Sequence, residues 1–386
     1  MTASLQPRAH GRNSPECLSR KFPQIGKNGV FNSLVTARDC PMQCVPCRRK
    51  ESVMNTAHCI ERAVVTGAAG FIGSHLVETL LQRGTTVLGV DRRSPRDNAM
   101  AAENLEGVMG QPGFRLIKGD LVTDEIKPWV DGADTVFHLA AVPGVRPSWG
   151  DGFGEYLACN VLATQRLLDA CVSSGVSRLV LASSSSVYGD AVGRGPLHEE
   201  CVSAPLSPYG VTKLAAERLA LAYALAPASP TSVIALRYFT VYGPRQRPDM
   251  AIGRMLRGIL TGQPLRLYGD GRQRRDFTFV TDAVAATIAA ATAEATAEAV
   301  NVGGGDSVSV LDVLNRIADI TGAEVPVHDD THQPGDVQVT EADLAKARAL
   351  LGYEASVTLN EGIERQWKWL SARSHDRLHG STAVTA

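Results

Sequence analysis

A tyrosine and a lysine one helical turn apart are the side chains best suited to proton transfer in this chain. Tyr209 and Lys213 stand at positions i and i+4, so they share one face of any helix that contains them. A nearby ammonium stabilises a phenolate and lowers the pKa of the phenol, which otherwise lies near ~10, too high for a base at neutral pH. The pair therefore predicts a general base and acid, although this spacing alone is common.

A run of four serines supplies a hydroxyl for the same chemistry. Ser184 follows an apolar segment and could bridge Tyr209 to a substrate oxygen. Composition does not rank residues 183–186 against one another, and bonding of a hydroxyl to the backbone is the alternative for each. We predict Ser184 as the third catalytic residue.

The glycine-rich turn TGAAGFIGSHL, from Thr66 to Leu76, is typical of a dinucleotide site. Gly67 permits a tight turn, Gly70 lets the backbone approach a pyrophosphate, and Gly73 lets the following helix pack on the preceding strand. The start of that helix offers unpaired N–H groups to an anion. The turn therefore predicts the binding of a dinucleotide.

An acidic residue selects among dinucleotides. Asp91 ends the next predicted strand, where its carboxylate would accept hydrogen bonds from the adenosine ribose hydroxyls and repel a 2′-phosphate. NAD is therefore the predicted cofactor, although Arg92 and Arg93 could soften that preference. Asp120, after the third strand, could reach the adenine, or it could cap its own loop.

The elements that position these residues alternate between strand and helix from residue 62 onward. Such alternation predicts an α/β fold with a Rossmann-type doubly wound parallel sheet, and its ligand crevice lies at the carboxyl ends of the strands. The predicted strands are Arg62–Thr66, Thr86–Val90, Arg115–Lys118, Thr135–Leu139, Arg178–Ala182 and Ser232–Leu236, and the predicted helices are Phe71–Gln82, Phe153–Ser174 and Tyr209–Leu225.

The composition of the chain changes near residue 240, where prolines and glycines become frequent. We predict an NAD-binding domain over residues 62–240 and a smaller C-terminal lobe, mainly substrate-binding, over 241–370. Ala285–Ala299 is predicted as one plain helix, and Glu361–Leu370 as the closing helix. Residues 371–386 are expected to be a flexible tail.

The first 61 residues are predicted to be a disordered basic extension. Residues 1–50 hold nine Lys/Arg against two acids and lack an apolar pattern. These residues lack the apolar stretch of a secretory signal. A transit peptide and a translation start at Met54 are the remaining alternatives. Cys40, Cys44 and Cys47 have the spacing of iron-cluster ligands, but two prolines interrupt them and no barrel follows. We predict a plain tail and no metal.

The overall composition is ordinary for a soluble globular protein. The net charge of −1 offers no argument for nucleic acid, and no run of about 18 apolar residues predicts a membrane span. Cys159, Cys171 and Cys201 are scattered, which indicates thiols in a reducing cytoplasm rather than a disulfide framework.

Together these segments resemble the extended short-chain dehydrogenase/reductase superfamily and, within it, the NAD-dependent nucleotide-sugar epimerases. The resemblance covers residues 62–370. Besides the glycine turn and SSSSVYG, it rests on GDL (119–121), HLAA (138–141), SPYGVTKLAAE (207–217), RYFTVYGPRQRPDMA (237–251), GDGRQRRDFTFVTD (269–282), NVGGG (301–305) and QPGDV (333–337). It implies 4-epimerisation of a UDP-sugar through a transient 4-keto sugar.

The resemblance also implies further residues of the cofactor site and a homodimer. The implied cofactor contacts are Phe71, Ile72, Asp120, Leu121, Leu139, Ala140, Ala141, Asn160, Tyr209, Lys213 and Tyr238, with tying down a loop as the alternative role of Asn160. Helices 153–174 and 209–225 would pair with their copies in a four-helix bundle, although their apolar faces could equally cover the sheet.

The segment RYFTVYGPRQRPDMA is most similar to UDP-glucuronate 4-epimerases, so the implied reaction converts UDP-glucuronate to UDP-galacturonate. Ser185 and Thr240 would bond the sugar carboxylate, and Arg247 would hold the uronate. Arg275 would grip the diphosphate and Asp336 would lie near the uridine ribose. Gln333 stands where UDP-galactose epimerases have a second diphosphate arginine, a role that would then fall to another base such as Arg274.

Other activities within the same superfamily remain alternatives. UDP-glucose 4-epimerase comes first, then UDP-glucuronate decarboxylase or a sugar 4,6-dehydratase. The last two carry carboxylates where this chain has Ser185 and Ser186, which favours simple epimerisation. A non-catalytic NAD-binding regulator is disfavoured because both Tyr209 and Lys213 are present.

Overall fold

Seven parallel strands form the central sheet of the computed structural model, which describes residues 60–330 and 335–380. They are β1 (Arg62–Thr66), β2 (Thr86–Asp91), β3 (Phe114–Lys118), β4 (Thr135–His138), β5 (Arg178–Ser184), β6 (Ser232–Tyr238) and β10 (Ala297–Val302). Their order across the sheet is β10-β6-β5-β4-β1-β2-β3, and the direction of winding reverses between β1 and β4. The prediction of a doubly wound parallel sheet is confirmed.

Apolar side chains cover both faces of this sheet, as a parallel sheet requires. On β1, Val64 and Val65 point to opposite faces and are 2% and 0% exposed. They belong to two separate apolar clusters, one on each side of the sheet. Each fully buried side chain of this size contributes about 1.5–3 kcal/mol, so the strands that carry the candidate residues are firmly held.

Helices pack on the two faces and complete the layers. They are α1 (Phe71–Gln82), α2 (Ala99–Leu105), α3 (Lys127–Val130), α4 (Phe153–Tyr156), α5 (Ala163–Ser174), α6 (Pro208–Leu225), α7 (Ala251–Thr261), α8 (Val280–Thr292), α9 (Val310–Thr321), α10 (Ala345–Leu351) and α11 (Leu359–Gly380). None of the helices in residues 60–330 and 335–380 has both the length and the hydropathy to cross a membrane.

Two small sheets lie after residue 239. One has the order β11-β9-β7, formed by β7 (Thr240–Tyr242), β9 (Arg274–Phe279) and β11 (Ser307–Ser309). The other pairs β8 (Leu265–Tyr268) with β12 (Val327–Asp330). The large sheet nevertheless takes its seventh strand, β10, from beyond the boundary predicted at residue 240.

The prediction of one plain helix over Ala285–Ala299 is wrong. Helix α8 ends at Thr292, and residues 297–302 pair with β6 as the edge strand β10. The local sequence is rich in alanine and favours helix, but pairing with an open sheet edge overrides that weak preference.

Two other predicted boundaries also differ. The helix predicted over Phe153–Ser174 contains a π turn (Leu157–Leu162) between α4 and α5. The closing helix α11 continues to Gly380, and Arg373 forms ion pairs with Glu103 and Glu106, so the predicted tail begins as helix. Residues 1–59 of the predicted extension, with Cys40, Cys44 and Cys47, lie outside the described residues, and so does Gln333.

Candidate functional site

The glycine turn joins β1 to α1 at the centre of the large sheet. Gly67 has a φ of +72°, a conformation that a side chain would strain, and its N–H donates to the Val90 carbonyl at 2.8 Å. A Cβ on Gly73 would collide with the carbonyl oxygen of Gly67. Gly70 caps α1 without a side-chain bond, which leaves the first helical N–H groups for an anionic ligand.

Asp91 ends β2 and ties the turn to the next loop. One carboxylate oxygen accepts the Ala69 N–H at 3.1 Å, and the other accepts the Arg93 N–H at 3.0 Å and the Arg93 Nε at 3.2 Å. The Arg93 guanidinium therefore lies against the carboxylate that is predicted to meet the ribose. The sequence showed Arg93 only as a nearby charge and gave no sign of this pairing.

A buried histidine, which the sequence analysis quoted only within a motif, supports the loop after β4. The His138 ring lies 2.8 Å from the Thr66 hydroxyl and 2.9 Å from the Thr164 hydroxyl. Thr66 in turn accepts the Ala140 N–H at 3.2 Å. Burial, with a smaller contribution from the charge of Lys213, lowers the pKa of His138 to about 3, so the ring is neutral. This chain of bonds holds the Leu139–Ala141 backbone against the glycine turn.

Tyr209 lies in the first turn of α6. The Ser207 hydroxyl caps that helix by accepting the Gly210 N–H at 3.1 Å, and the Tyr209 N–H donates to Ser148. The Tyr209 phenol and the Ser184 hydroxyl line the same cavity, and Ser184 favours the ionised phenol. Burial raises the pKa of Tyr209, while Ser184 and the charge of Arg247 oppose that rise. The sequence predicted that Lys213 would lower the pKa of Tyr209. In the structure that pKa is raised, because burial has the largest effect.

Lys213 lies one turn further along α6 and is 4% exposed. Burial lowers the pKa of its ammonium to about 8, and the carboxylate of Glu217 partly offsets this. Below about pH 8 the side chain is therefore a buried cation. Such groups are frequent at functional sites.

Asn160 takes the alternative role that the sequence left open. Its side chain accepts the Val142 N–H at 2.8 Å and donates to the Val142 carbonyl at 3.0 Å and to Thr212 at 3.1 Å. It belongs to the π turn, a helix irregularity that is common near functional sites. Asn160 thus fixes the loop after β4 instead of lining the cleft.

One cavity of 620 Å³ unites most of the predicted site residues. We call it the first cavity. Its lining includes Gly67, Gly70, Phe71, Ile72, Gly73, Asp91, Asp120, Leu121, Leu139, Ala140, Ala141, Ser184, Ser185, Tyr209, Lys213, Tyr238, Thr240 and Arg247. Asp120 also accepts the Val122 N–H at 2.8 Å, so it caps its loop as well as facing this cavity.

A second cavity of 720 Å³ shares Ser185 and Thr240 with the first and extends into the C-terminal region. Arg275 and Asp336 line it. Arg275 donates to the Arg274 carbonyl at 2.9 Å, and burial lowers the pKa of its guanidinium.

The second cavity also contains an arginine that sequence reasoning missed. Arg146 lies 3.8 Å from the centre of the Tyr268 ring and donates to the Asp336 carboxylate at 2.8 Å. The two members of that ion pair are 190 residues apart in the chain. No local pattern could have indicated the contact.

Arg247 already has a carboxylate partner. Its Nε and one terminal nitrogen donate to the two oxygens of Asp249 at 2.9 Å and 2.7 Å, and this pairing lowers the pKa of Asp249. Arg247 lines the first cavity and Asp249 lines the second. The ion pair therefore lies between the two cavities. There Arg247 could exchange the Asp249 carboxylate for the carboxylate of a ligand.

Comparison with known proteins places the chain in a family. The model of the family described as "NAD dependent epimerase/dehydratase family" matches residues 63–303. The "Uncharacterized UDP-glucose epimerase YtcB" of Bacillus subtilis (strain 168) is 42% identical over 314 residues, which make up 81% of this chain and 98% of that protein. The UDP-glucuronate 4-epimerase of Thermodesulfobacterium geofontis (strain OPF15) is 36% identical over 312 residues, or 79% of this chain and 95% of that protein.

Solved structures agree with these relatives. The structure of MoeE5 in complex with UDP-glucuronic acid and NAD has a TM-score of 0.75 and 48% identity, and the match covers 81% of this chain and 99% of MoeE5. The UDP-glucuronic acid 4-epimerase of Bacillus cereus, in complex with UDP-glucuronic acid and NAD, has a TM-score of 0.76 and 38% identity, with the same coverage. The chain therefore belongs to the NAD dependent epimerase/dehydratase family, and the predictions of an NAD-dependent enzyme and of NAD as its cofactor are confirmed.

Proposed function

We propose that this member of the NAD dependent epimerase/dehydratase family inverts C4 of a UDP-sugar and that its main substrate is UDP-glucuronate, which it converts to UDP-galacturonate. The observation that carries the proposal is that Tyr209 and Ser184 line the same cavity as Thr240 and Arg247. A proton-transfer group and an anion-binding group thus lie in the same cavity as the glycine turn.

The residues around the glycine turn fit NAD. Glycine at position 73 lets α1 approach the Gly67 carbonyl, with which a Cβ would collide. The start of α1 has no side-chain cap, and the Asp91 carboxylate lines the same cavity. Bound there, NAD would supply a hydride acceptor and donor for the sugar C4 and a positive charge beside the phenol. All other steps are assigned to side chains of the chain itself.

Tyr209 moves the proton. Its phenolic oxygen takes the proton of the sugar 4-hydroxyl through contact with the Ser184 hydroxyl, and it returns that proton once the carbon has been reduced again. Burial alone makes the phenol a poor base, so the positive charges of Arg247, Lys213 and the oxidised cofactor are needed to favour the phenolate. Lys213 carries such a charge below about pH 8.

The side chains beside Ser184 explain why the reaction would stop at epimerisation. Ser185 and Ser186 line the cavities with hydroxyl groups and have no carboxylate to eliminate water or assist loss of CO2. Ser185, Thr240 and Arg247 would instead hold the sugar carboxylate through charge-assisted bonds. A 4-keto uronate loses CO2 readily, so this grip must keep the carboxylate in an unreactive orientation.

The second cavity fits the nucleotide part of the substrate. Arg275 would bind the diphosphate, and Asp336 would lie near the uridine ribose. Because Ser185 and Thr240 line both cavities, one UDP-sugar can extend from the second cavity to Tyr209. The MoeE5 and Bacillus cereus proteins were each solved in complex with both UDP-glucuronic acid and NAD, which supports a site that holds a UDP-sugar together with the cofactor.

UDP-glucose is the second candidate substrate. Arg247 is already paired with Asp249, and a neutral hexose would leave that pair intact. The Bacillus subtilis relative carries the name of a UDP-glucose epimerase, and MoeE5 has also been solved with UDP-glucose and NAD. The relative rates with the two sugars decide between the candidates.

A homodimer and a cytoplasmic location complete the proposal. Large apolar side chains are exposed on α4, the π turn and α6, namely Phe153, Leu157, Leu162 and Val211, with 38% to 48% exposure. Pairing of these helices with their copies would cover these side chains in a four-helix bundle.

We further propose that residues 62–240 form the main NAD-binding part and residues 241–370 the main substrate-binding part, with β10 belonging to the large sheet.

The test is to purify the chain, look for co-purified NAD, and follow UDP-glucuronate by proton NMR. The expected result is a UDP-galacturonate anomeric signal that Tyr209→Phe reduces by about 10² to 10⁴-fold, the usual contribution of a general base. Tyr223→Phe is the matched control, because Tyr223 bonds Asp169 and Gln165 and lines neither cavity. Turnover of UDP-glucose alone would overturn the uronate assignment, and inertness toward both sugars would overturn the epimerase assignment.

A further inference from the structure

A fully buried ion pair lies directly behind the proposed catalytic side chains. Glu217 of α6 and Arg237 of β6 are 0% and 1% exposed, and their side chains are joined by two hydrogen bonds of 2.5 Å and 2.9 Å. Burial of two charges is costly, and a buried pair often contributes less to stability than apolar side chains of similar size. Its position beside the cleft therefore calls for an explanation other than stability.

The pair connects every element that carries a proposed catalytic residue. Glu217 lies one turn after Lys213 on α6, and its carboxylate also accepts the hydroxyl of Ser183, the neighbour of Ser184 on β5, at 2.6 Å. Arg237 directly precedes Tyr238, which lines the first cavity at the end of β6.

The surroundings of Arg237 leave it little freedom to move. It donates to the Tyr188 hydroxyl at 2.8 Å and to the Glu199 carbonyl at 3.1 Å, and it lies 4.8 Å from the centre of the Tyr188 ring. Tyr188 in turn donates to Asn301 at 2.7 Å. Glu217 is therefore held from behind by a guanidinium that is itself fixed on three sides.

We propose that Glu217 and Arg237 are positioning residues that act through Lys213: Glu217, buried one turn further along the same face of α6, keeps the buried ammonium charged, and Arg237 limits how strongly Glu217 attracts it. The inference rests on the proposed function in that Lys213 is taken to serve the cofactor and Tyr209. Neither residue lines the first or the second cavity, so neither acts on a ligand directly.

The other ionisable groups near Lys213 do not account for its charge. On α6 the neighbours are Tyr209 and Glu217, and from β4 comes His138, which is neutral because its pKa lies at about 3. Cys159 of the π turn lines the same cavity, and burial raises the pKa of its thiol, so it is also uncharged at neutral pH. Behind Glu217 lie Arg237 and then Glu199. Charged side chains also line the first cavity with Lys213, namely Asp91, Arg92, Arg93, Asp120, Glu155 and Arg247. Among the described residues, Glu217 is the carboxylate whose charge raises the pKa of Lys213 against burial, which lowers it to about 8.

This arrangement predicts opposite effects for the two partners. Glu217→Gln removes the supporting charge and leaves Arg237 to repel Lys213, so the pKa of Lys213 should fall by about one pH unit. Arg237→Met frees Glu217 to act on Lys213 more strongly, so the same pKa should rise by a similar amount. A pair with a purely structural role would move neither value.

The experiment uses the full chain with lysines labelled at the ε-carbon, titrated by NMR between pH 6 and 11. The Lys213 signal is the one that disappears in Lys213→Met. The alkaline limb of the kcat profile should move with it, toward lower pH in Glu217→Gln and toward higher pH in Arg237→Met. Glu298→Gln breaks the part-exposed pair with Lys346 and is the matched control, expected to change nothing.

A second variant keeps the test decisive if the single variants unfold. Glu217→Met/Arg237→Met removes both charges of the buried pair together, so it should disturb folding less than either single variant, and it should still lower the pKa of Lys213. Shifts in the same direction for both single variants, or an unmoved Lys213 signal in the double variant, would overturn the proposal. The NMR titration needs no turnover, so failure of the sugar assay alone would count against the proposed function and not against this pair.

Discussion

The first and second cavities meet at Ser185 and Thr240, but they are built by different means. Short, contiguous segments around the glycine turn, at the carboxyl ends of the strands, form much of the first cavity. The second depends on ion pairs and loops from distant parts of the chain, such as Arg146 with Asp336. On the proposed function, the dinucleotide would be bound largely by backbone geometry, which tolerates little change. The sugar nucleotide would be bound by side chains, whose substitution can alter specificity without disturbing the fold.

The largest effect is expected on the backbone side of this comparison. In Gly73→Ala the new methyl group collides with the Gly67 carbonyl, so the turn must shift, at a cost of about 1–3 kcal/mol in unfolding free energy. A displaced turn should weaken NAD binding by about 100-fold, by analogy with the cost of misplacing catalytic groups by 1 Å. Calorimetric titration with NAD and urea unfolding measure the two effects.

The control for that substitution is Gly154→Ala, where nothing lies within 4 Å of the added methyl group. It should leave NAD affinity unchanged and stability equal or slightly higher. Full NAD affinity in Gly73→Ala would show that the turn is not the anchor of the cofactor.

An intermediate effect is expected where the two cavities meet. Arg247→Ala should raise KM for UDP-glucuronate by about 10- to 100-fold, the range for loss of a hydrogen bond to a charged group, and should change KM for UDP-glucose much less. Parallel kinetics with both sugars measure the difference. Arg247→Lys should restore only part of the preference, because an ammonium lacks the planar fork that binds a carboxylate. An equal rise in KM for both sugars would mean that Arg247 does not bind the carboxylate of the uronate.

The smallest effect has the opposite sign. Asp249→Asn removes the carboxylate that occupies Arg247, so KM for UDP-glucuronate should fall by about two- to fivefold, in keeping with the modest strength of exposed ion pairs. KM for UDP-glucose should stay within error. Asp270→Asn, in an exposed pair with Arg272 outside both cavities, is the control. A higher KM for the uronate in Asp249→Asn would show that Asp249 orients Arg247 instead of competing for it.

The same division explains what the sequence could predict. The bounds of β1 and α1 follow from the glycine spacing and the apolar period, which are local, and the structure has both elements as predicted. The edge strand β10 was missed because an alanine-rich segment becomes a strand only where β6 offers an open edge. Contacts such as Glu217 with Arg237 arise because β5 and β6 are neighbours and α6 packs on both, which no spacing within one segment reveals.

The pKa values of the candidate catalytic side chains also depend on the folded structure. The sequence predicted that Lys213 would lower the pKa of Tyr209, yet burial raises it and also lowers the pKa of Lys213 itself. Burial depends on the whole fold, so its balance against nearby charges could not be judged from a spacing of four residues. The identity of the catalytic candidates could be predicted, whereas the electrostatic conditions under which they would work could not.

Transfer of hydrogen away from and back to the same sugar carbon is most directly tested by running the reaction in D2O. The hydride removed from C4 should return to C4 without exchange with solvent, so UDP-galacturonate formed in D2O should carry protium at that carbon by NMR and mass spectrometry. Deuterium at the inverted carbon would mean that the hydrogen left as a proton, and transient oxidation of the sugar at this site would be contradicted.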